Sequence, residues 1–118
     1  MGATVRIPEA SVRYLLTING GGRKADEQLY ADMGRFIEEL SRAGTLVATG
    51  GLDSTGTRMS ASNGRVTFTD GPYAETKETV VSFAVIEVAS KEEALALAER
   101  FWAIVRDGEG DMRLIYGQ

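Results

Sequence analysis

The chain has neither cysteine nor histidine among its 118 residues. Without cysteine it can form no disulfide and has no thiolate nucleophile, and the absence of both residues excludes Cys/His zinc sites, HExxH motifs and any triad with a histidine base. Proton transfer would have to use carboxylates, lysine, tyrosine or water. We therefore expect neither a metal ion nor a bound cofactor.

Long apolar runs and clustered positive charge are missing as well. No run approaches the roughly 18 apolar residues that a membrane span requires, and 13 basic residues stand against 17 acidic ones, for a net charge of -4. An acidic chain lacks the electrostatic footprint for phosphate backbones. Arg6, Pro8 and Glu9 interrupt the apolar core that a secretory signal would need. These features predict a cytoplasmic protein that binds neither membranes nor nucleic acid.

The remaining composition is that of one folded domain. Apolar residues make up 43% of the chain and charged residues 25%, which departs from the low hydrophobicity and high charge of disordered chains. A chain of this length is expected to build one hydrophobic core. We assign residues 1–12 to an N-terminal extension and residues 13–118 to a single domain.

Apolar periodicity predicts a strand, a helix and a second strand in the first half of the chain. The run Arg13–Ile18 is short, aromatic and β-branched, as in a buried strand. Asp26 can cap a helix, Gly44 can end it in the left-handed conformation, and Leu46–Leu52 then resumes as a strand. The apolar positions of the helix follow one stripe: Leu29, Tyr30, Met33, Phe36, Ile37 and Leu40.

A β-hairpin is the clearest local prediction. Asn63-Gly64 supplies the two positive-φ residues of a type I′ turn between the strands Arg58–Ser62 and Arg65–Thr69. A two-residue loop pairs Ser62 with Arg65, Ala61 with Val66, Ser60 with Thr67 and Met59 with Phe68. This register places Met59, Ala61, Val66 and Phe68 on one face of the hairpin and polar residues on the other.

The second half of the chain predicts another strand, helix and strand. Thr79–Val88 is apolar at both alternating sets of positions, which is typical of a central strand covered on both faces. Ser90 and Glu93 form a capping box, Asp107–Gly110 ends the helix, and Met112–Tyr116 reads as the last strand. The apolar stripe of this helix consists of Ala94, Leu97, Ala98, Phe101, Ile104 and Val105.

The order of these elements predicts an α+β fold of the ferredoxin-like type. It is a split βαβ sandwich, an antiparallel sheet with two helices on one face, plus an inserted β-hairpin. Tyr14, Leu16 and Ile18 point to one face of the first strand and Leu15 to the other, so both faces of the sheet carry apolar groups. Because two helices cover only one face, we expect a second copy to cover the other, and the protein to be a homodimer.

The segment Asp70–Glu78 has the sequence DGPYAETKE. It resembles the DGPFAETKE signature of the YCII-related, or DGPF-domain, family, with Tyr73 where the family usually has Phe. The early Tyr-Leu-Leu strand, the helix ending Arg-Ala-Gly and the Ser-x-x-Glu-Ala helix start resemble that family too. The resemblance implies a dimeric ferredoxin-like sandwich of undefined activity. Members that resemble enzymes use a His-Asp pair, which this chain cannot form.

The signature segment is the candidate site. In the functional interpretation, this segment binds a small polar or anionic ligand. Asp70 or Glu75 would accept a proton from the ligand, and Lys77 or Tyr73 would donate one to it. The candidate ligand-binding residues are Asp70, Gly71, Pro72, Tyr73, Glu75 and Lys77. In the structural alternative, Asp-Gly-Pro is turn chemistry and the later charges are solvated.

Three functions follow from these interpretations. The first is a small-molecule-binding or accessory protein. The alternatives are a cofactor-independent lyase, isomerase or monooxygenase-like enzyme in the dimer cleft, and an interaction module associated with a transcription regulator. The glycine-rich segment Asn19–Lys24 precedes a helix but lacks both GxxxxGK[ST] and GxGxxG, so it is interpreted as a connection rather than an anion site.

Overall fold

A computed structural model describes residues 11–19, 26–53, 55–72 and 81–117. The predicted division into an N-terminal extension and a domain stays a prediction, because residues 1–10 lie outside these ranges. Six strands and two helices are described, in the order β1 (Val12–Asn19), α1 (Glu27–Arg42), β2 (Leu46–Gly51), β3 (Thr55–Ser62), β4 (Arg65–Pro72), β5 (Val81–Val88), α2 (Lys91–Val105) and β6 (Glu109–Ile115).

The main sheet has the strand order β2-β5-β1-β6, and every neighbouring pair is antiparallel. Both helices pack on the same face, where α1 and α2 contact each other and side chains from both line one cavity. The predicted α+β class, with an antiparallel sheet and two helices in a ferredoxin-like order, is confirmed. Strand β5 is central, as predicted, because it lies between β1 and β2.

Both helices begin where their capping residues predict. The side chain of Asp26 accepts a hydrogen bond from the Leu29 backbone N–H at 2.9 Å, and Ser90 accepts one from the Glu93 N–H at 3.2 Å. The Glu93 carboxylate accepts the N–H of Ala89 at 2.9 Å, one residue before the position that a standard capping box uses. Gly44 follows α1 with a φ of 79°, which confirms the left-handed end of that helix.

The β3–β4 hairpin has the predicted turn and register. Asn63 and Gly64 have φ values of 55° and 82°, as a type I′ turn requires. All four predicted pairs occur, from Ser62 with Arg65 to Met59 with Phe68. The strands are longer than predicted and reach Thr55 and Pro72. The hairpin forms a separate two-stranded sheet, and its strands make no extensive contact with another described element.

The end of the chain differs from its prediction. Asp107–Gly110 follows the end of α2, as predicted, but the last strand begins at Glu109 and not at Met112, and Gly110 pairs with Ile18. Strand β6 ends at Ile115, and Tyr116, which was assigned to it, lies beyond it and is exposed. The difference arises because strand pairing with β1, and not the glycine content of the segment, decides where this strand begins.

The core lies between the helices and the sheet. Tyr14, Ile86, Val88 and Ala94 form one buried cluster. The opposite face of the sheet, named here the open face, carries the half-buried side chains of Leu15, Phe83 and Val85, which alternate with the core residues along β1 and β5. The sequence predicts that both faces of β5 are covered. Within one chain, the helices cover only one of these faces.

Two charged groups link α1 and α2. The Arg100 guanidinium donates to both carboxylate oxygens of Glu39, at 2.9 and 2.7 Å, and lies over the Phe36 ring at 4.9 Å. The hydrogen bond from Arg100 holds the pKa of Glu39 below its usual value. Among the described helices, none is both long and apolar enough to cross a membrane.

The lowered pKa of Glu39 predicts an acid-dependent loss of stability. Because folding favours the charged carboxylate, the contribution is present above the unfolded pKa of 4.5 and is lost as the pH falls through the lower folded pKa. We expect Glu39→Gln to lower the urea midpoint at neutral pH and to have less effect well below pH 4.5. Glu99→Gln, on the exposed surface of α2, is the matched control. An equal effect of Glu39→Gln at both pH values would contradict the assignment.

Candidate functional site

An apolar cavity lies between α1 and the main sheet. Its volume is about 70 Å³. Helix α1 supplies Met33 and Phe36, the sheet supplies Leu16 and Ile86, and Leu97 comes from α2. The other lining residues are Ile18, Ile37, Leu40, Leu46, Thr49, Ser82, Phe83, Ala84 and Phe101.

Short side chains on β5 account for the cavity. Ala84 pairs with Leu16 on one side and with Thr49 on the other, so three adjacent strands contribute only one large side chain at this level of the sheet. Ser82, two residues away, faces the same side. The aromatic and aliphatic residues of α1 therefore pack over small residues of the sheet. A gap remains between the helix layer and the sheet layer.

The cavity is suited to binding rather than to proton transfer. Its described lining residues carry no charge, and the polar groups among them are the hydroxyls of Thr49 and Ser82. The Thr49 hydroxyl donates to the Phe83 carbonyl at 2.9 Å, which orients this side chain. An apolar space with a few placed polar groups is typical of a small-molecule site.

The cavity lies near one particular end of the sheet. Asn19 and Val81 pair at this end, and their neighbours Ile18 and Ser82 line the cavity. The chain continues from Asn19 into the glycine-rich segment, and the signature segment leads into Val81. Both sequence-predicted segments are therefore joined to the sheet beside the cavity. Residues 20–25 and 73–80 lie outside the described residues.

Of the predicted site residues, Asp70, Gly71 and Pro72 belong to β4. Asp70 accepts a hydrogen bond from the Thr57 hydroxyl at 2.6 Å and is exposed. It shares a hairpin face with Phe68 because the two are separated by two positions. Tyr73, Glu75 and Lys77 lie outside the described residues, so the proposed donor and acceptor set stays a prediction.

The structural alternative, in which Asp70-Gly71-Pro72 forms a turn, was wrong. Gly71 pairs with Gly56 and Pro72 with Thr55, so these residues continue a strand and do not form a turn. Gly71 has no positive φ, and a Cβ built on it would meet no atom within 4 Å. Hairpin pairing overrides the turn preference of this tripeptide because each residue has a partner across the ladder. The backbone at Gly71 therefore does not require glycine.

Other charged residues of the described chain form pairs outside the cavity. On the open face, Glu87 accepts hydrogen bonds from Ser11 at 2.7 Å and Arg13 at 3.0 Å. These bonds, the Ser11 bond first, lower the pKa of Glu87. Within the described ranges, no group of three or more carboxylates is placed to hold a metal ion.

The cavity was not predicted from the sequence. A usable signal was present, because the helix-facing positions of β5 include Ser82 and Ala84 before the larger Ile86 and Val88. Apolar periodicity assigns a residue to a face but does not compare its volume with that of the residues packed above it. The mismatch between small β5 residues and α1 appears only when the layers are brought together.

Comparison with known proteins identifies the family. A search of curated proteins gave no match. Among solved structures, the de novo designed protein Foldit4 is 16% identical, with a TM-score of 0.40, over 92% of this chain and 99% of its own length. The sequence profile of the YCII-related domain matches residues 12–111. The chain, with its ferredoxin-like order of strands and helices, therefore belongs to the YCII-related domain family.

Proposed function

We propose that this YCII-related protein is a cytoplasmic binding or accessory protein for a small molecule with an apolar body. The apolar cavity between α1 and the sheet carries the proposal. Its volume, about 70 Å³, accommodates a short alkyl group or part of a ring. Engineered apolar cavities of about 150 Å³ bind benzene. Met33 is a flexible wall, and its movement would admit a larger group.

In this proposal the polar end of the ligand faces the end of the sheet that carries Asn19 and Val81. The hydroxyls of Thr49 and Ser82 lie among the lining residues, and the signature segment leads into β5 beside them. Glu75, Lys77 and Tyr73 are the sequence-based candidates for contacts with a polar or anionic group. A ligand with an apolar body and a polar end would use both features.

A thermal-shift and NMR titration series tests the cavity. The probes are phenol, benzoate and short-chain carboxylates, so that ring, chain and charge are varied separately. Ala84→Ile fills the cavity from the sheet side. We expect it to weaken binding of an apolar probe about tenfold or more, which corresponds to about 1.4 kcal/mol. The protein should stay folded because the added volume enters existing space.

Ala96→Ile is the matched control for Ala84→Ile. It places the same side chain at an exposed position of α2, outside the cavity lining. It should leave the affinity unchanged. Binding that ignores Ala84→Ile would contradict the cavity as the site, and failure of every probe to bind would contradict this ligand class.

We propose a second copy of this chain as the protein partner. Leu15, Phe83 and Val85 on the open face support it, because small domains rarely leave a contiguous apolar sheet face in water. Sedimentation velocity at micromolar concentration is expected to show a species with twice the 12.7 kDa mass of the chain. A stable monomer would contradict this part of the proposal.

A further inference from the structure

We infer that Ser82 is the specificity-determining residue of the apolar cavity, and that the ligand carries a neutral hydroxyl group, as phenols and small alcohols do. This inference rests on the proposed small-molecule site and adds the chemical class of the ligand's polar end. Ser82 and Thr49 supply the polar side chains among the described residues that line the cavity. Their hydroxyl groups differ in the hydrogen bonds that they can still offer to a ligand.

The Thr49 hydroxyl has already used its proton. It donates to the backbone carbonyl oxygen of Phe83 at 2.9 Å. A hydroxyl group has one proton to donate and two lone pairs that accept. Thr49 can therefore only accept a hydrogen bond from a ligand, and its bond to the Phe83 carbonyl orients the accepting oxygen.

The Ser82 hydroxyl can both donate and accept. Within the described ranges it has no hydrogen-bond partner, whereas every buried side-chain oxygen or nitrogen of these ranges has one. The Ser82 oxygen is therefore reached by solvent, although the side chain is half-buried and lines the cavity. A ligand that excludes solvent from this oxygen must hydrogen-bond to it, because a buried hydroxyl without a partner costs free energy.

The two hydroxyl groups are close to each other on the sheet. Ser82 and Ala84 are two positions apart on β5 and face the helices, and Thr49 of β2 pairs with Ala84. Thr49 and Ser82 are therefore diagonal neighbours on adjacent strands, roughly 7 to 8 Å apart along the backbone. A ligand oxygen between them can reach both hydroxyl groups, because two consecutive O–H···O bonds span about 5.5 Å.

A neutral hydroxyl group matches this pair of side chains. It accepts the proton of Ser82 and donates its own proton to Thr49, so that all three hydroxyl groups are hydrogen-bonded. A carboxylate has no proton to donate to Thr49, and the described lining residues supply no positive charge to offset its desolvation. An ammonium group would lack an acidic partner in the same lining. The lining therefore favours a neutral hydroxyl group over either ion.

Two ring probes and one substitution test the inference. Phenol carries the hydroxyl group, and toluene presents a methyl group of similar size in its place. Ser82→Ala removes one hydrogen bond and adds no bulk. We expect it to weaken phenol binding about fivefold, as the loss of one hydrogen bond does, and to leave toluene binding unchanged. NMR titration at neutral pH measures both dissociation constants, and comparison of the two probes cancels any general effect of the substitution.

Three further measurements accompany this test. Ser41→Ala is the matched control, at an exposed position of α1 outside the cavity lining, and should leave both affinities unchanged. Thr49→Val keeps the shape of the side chain and removes the accepting oxygen, so it should also weaken phenol binding and spare toluene. Benzoate tests the charge, and we expect it to bind about tenfold more weakly than phenol.

The outcomes separate the inference from the proposed function. Equal losses for phenol and toluene in Ser82→Ala, or no loss for phenol, would overturn the role of Ser82 and leave the cavity as the site. Benzoate that binds as tightly as phenol would overturn the neutral ligand class, because a positive charge would then contact the ligand. If none of the three probes binds, or if Ala84→Ile leaves binding unchanged, the proposed site and this inference both fail.

Discussion

Gly110→Ala is expected to lower the free energy of unfolding by about 3 kcal/mol, at the upper end of single substitutions. Gly110 lies in β6 opposite Ile18, and a Cβ at this position would overlap the backbone carbonyl oxygen of Thr17. A flexible side chain could move aside, but this oxygen belongs to the neighbouring strand β1. Strands β1 and β6 would have to separate locally. Chemical unfolding at a fixed protein concentration measures the effect, since association also changes stability.

Gly34→Ala is the matched control and should have the opposite sign. Gly34 lies within α1, and a Cβ there meets nothing within 4 Å outside the helix. Alanine in a helix interior is favoured over glycine by about 0.8 to 1 kcal/mol. A stability of Gly110→Ala close to that of the wild type would mean that β1 and β6 do not approach as described.

Leu40→Ala is expected to cost about 2 to 5 kcal/mol. Leu40 is one of two buried residues of α1 and lines the apolar cavity, so its truncation removes buried surface and enlarges an existing space. The surrounding residues already leave about 70 Å³ unfilled. We therefore expect little compensation by collapse. The measurement is the urea-unfolding midpoint together with its slope.

Leu95→Ala provides the same chemical change at an exposed position of α2. Its effect should lie within about 0.5 kcal/mol of the wild type, as for surface substitutions away from special features. Equal losses in Leu40→Ala and Leu95→Ala would contradict the assignment of the helix faces. A gain in affinity for larger apolar probes in Leu40→Ala would add support for the proposed ligand site.

Local sequence was sufficient where a structural element depends on its own backbone. Asn63-Gly64 adopts positive φ values at low cost, so the turn and the whole hairpin register follow from two residues. Asp26 and Ser90 accept the free N–H groups of the first helical turns for similarly local reasons. The order of strands and helices then restricted the fold to a split βαβ sandwich.

Local sequence was insufficient where a partner strand decides the outcome. Asp70-Gly71-Pro72 has turn chemistry, yet β3 lies opposite and pairs with all three residues. Glu109 and Gly110 look like the end of a loop, yet β1 offers hydrogen-bonding partners and β6 begins there. In both cases pairing with a neighbouring strand outweighs a weak local preference.

The sequence by itself determined the chemistry that this protein can use, the positions of its caps and turn, and its family through the signature segment. The tertiary structure decided where the strands begin and end, which faces remain uncovered, and where the cavity lies. Caps and turns depend on hydrogen bonds and φ values within a few residues. The cavity arises because the small side chains of Ser82 and Ala84 on β5 do not fill the space beneath the side chains of α1. These two segments are distant along the chain, so their volumes can be compared only in the folded structure.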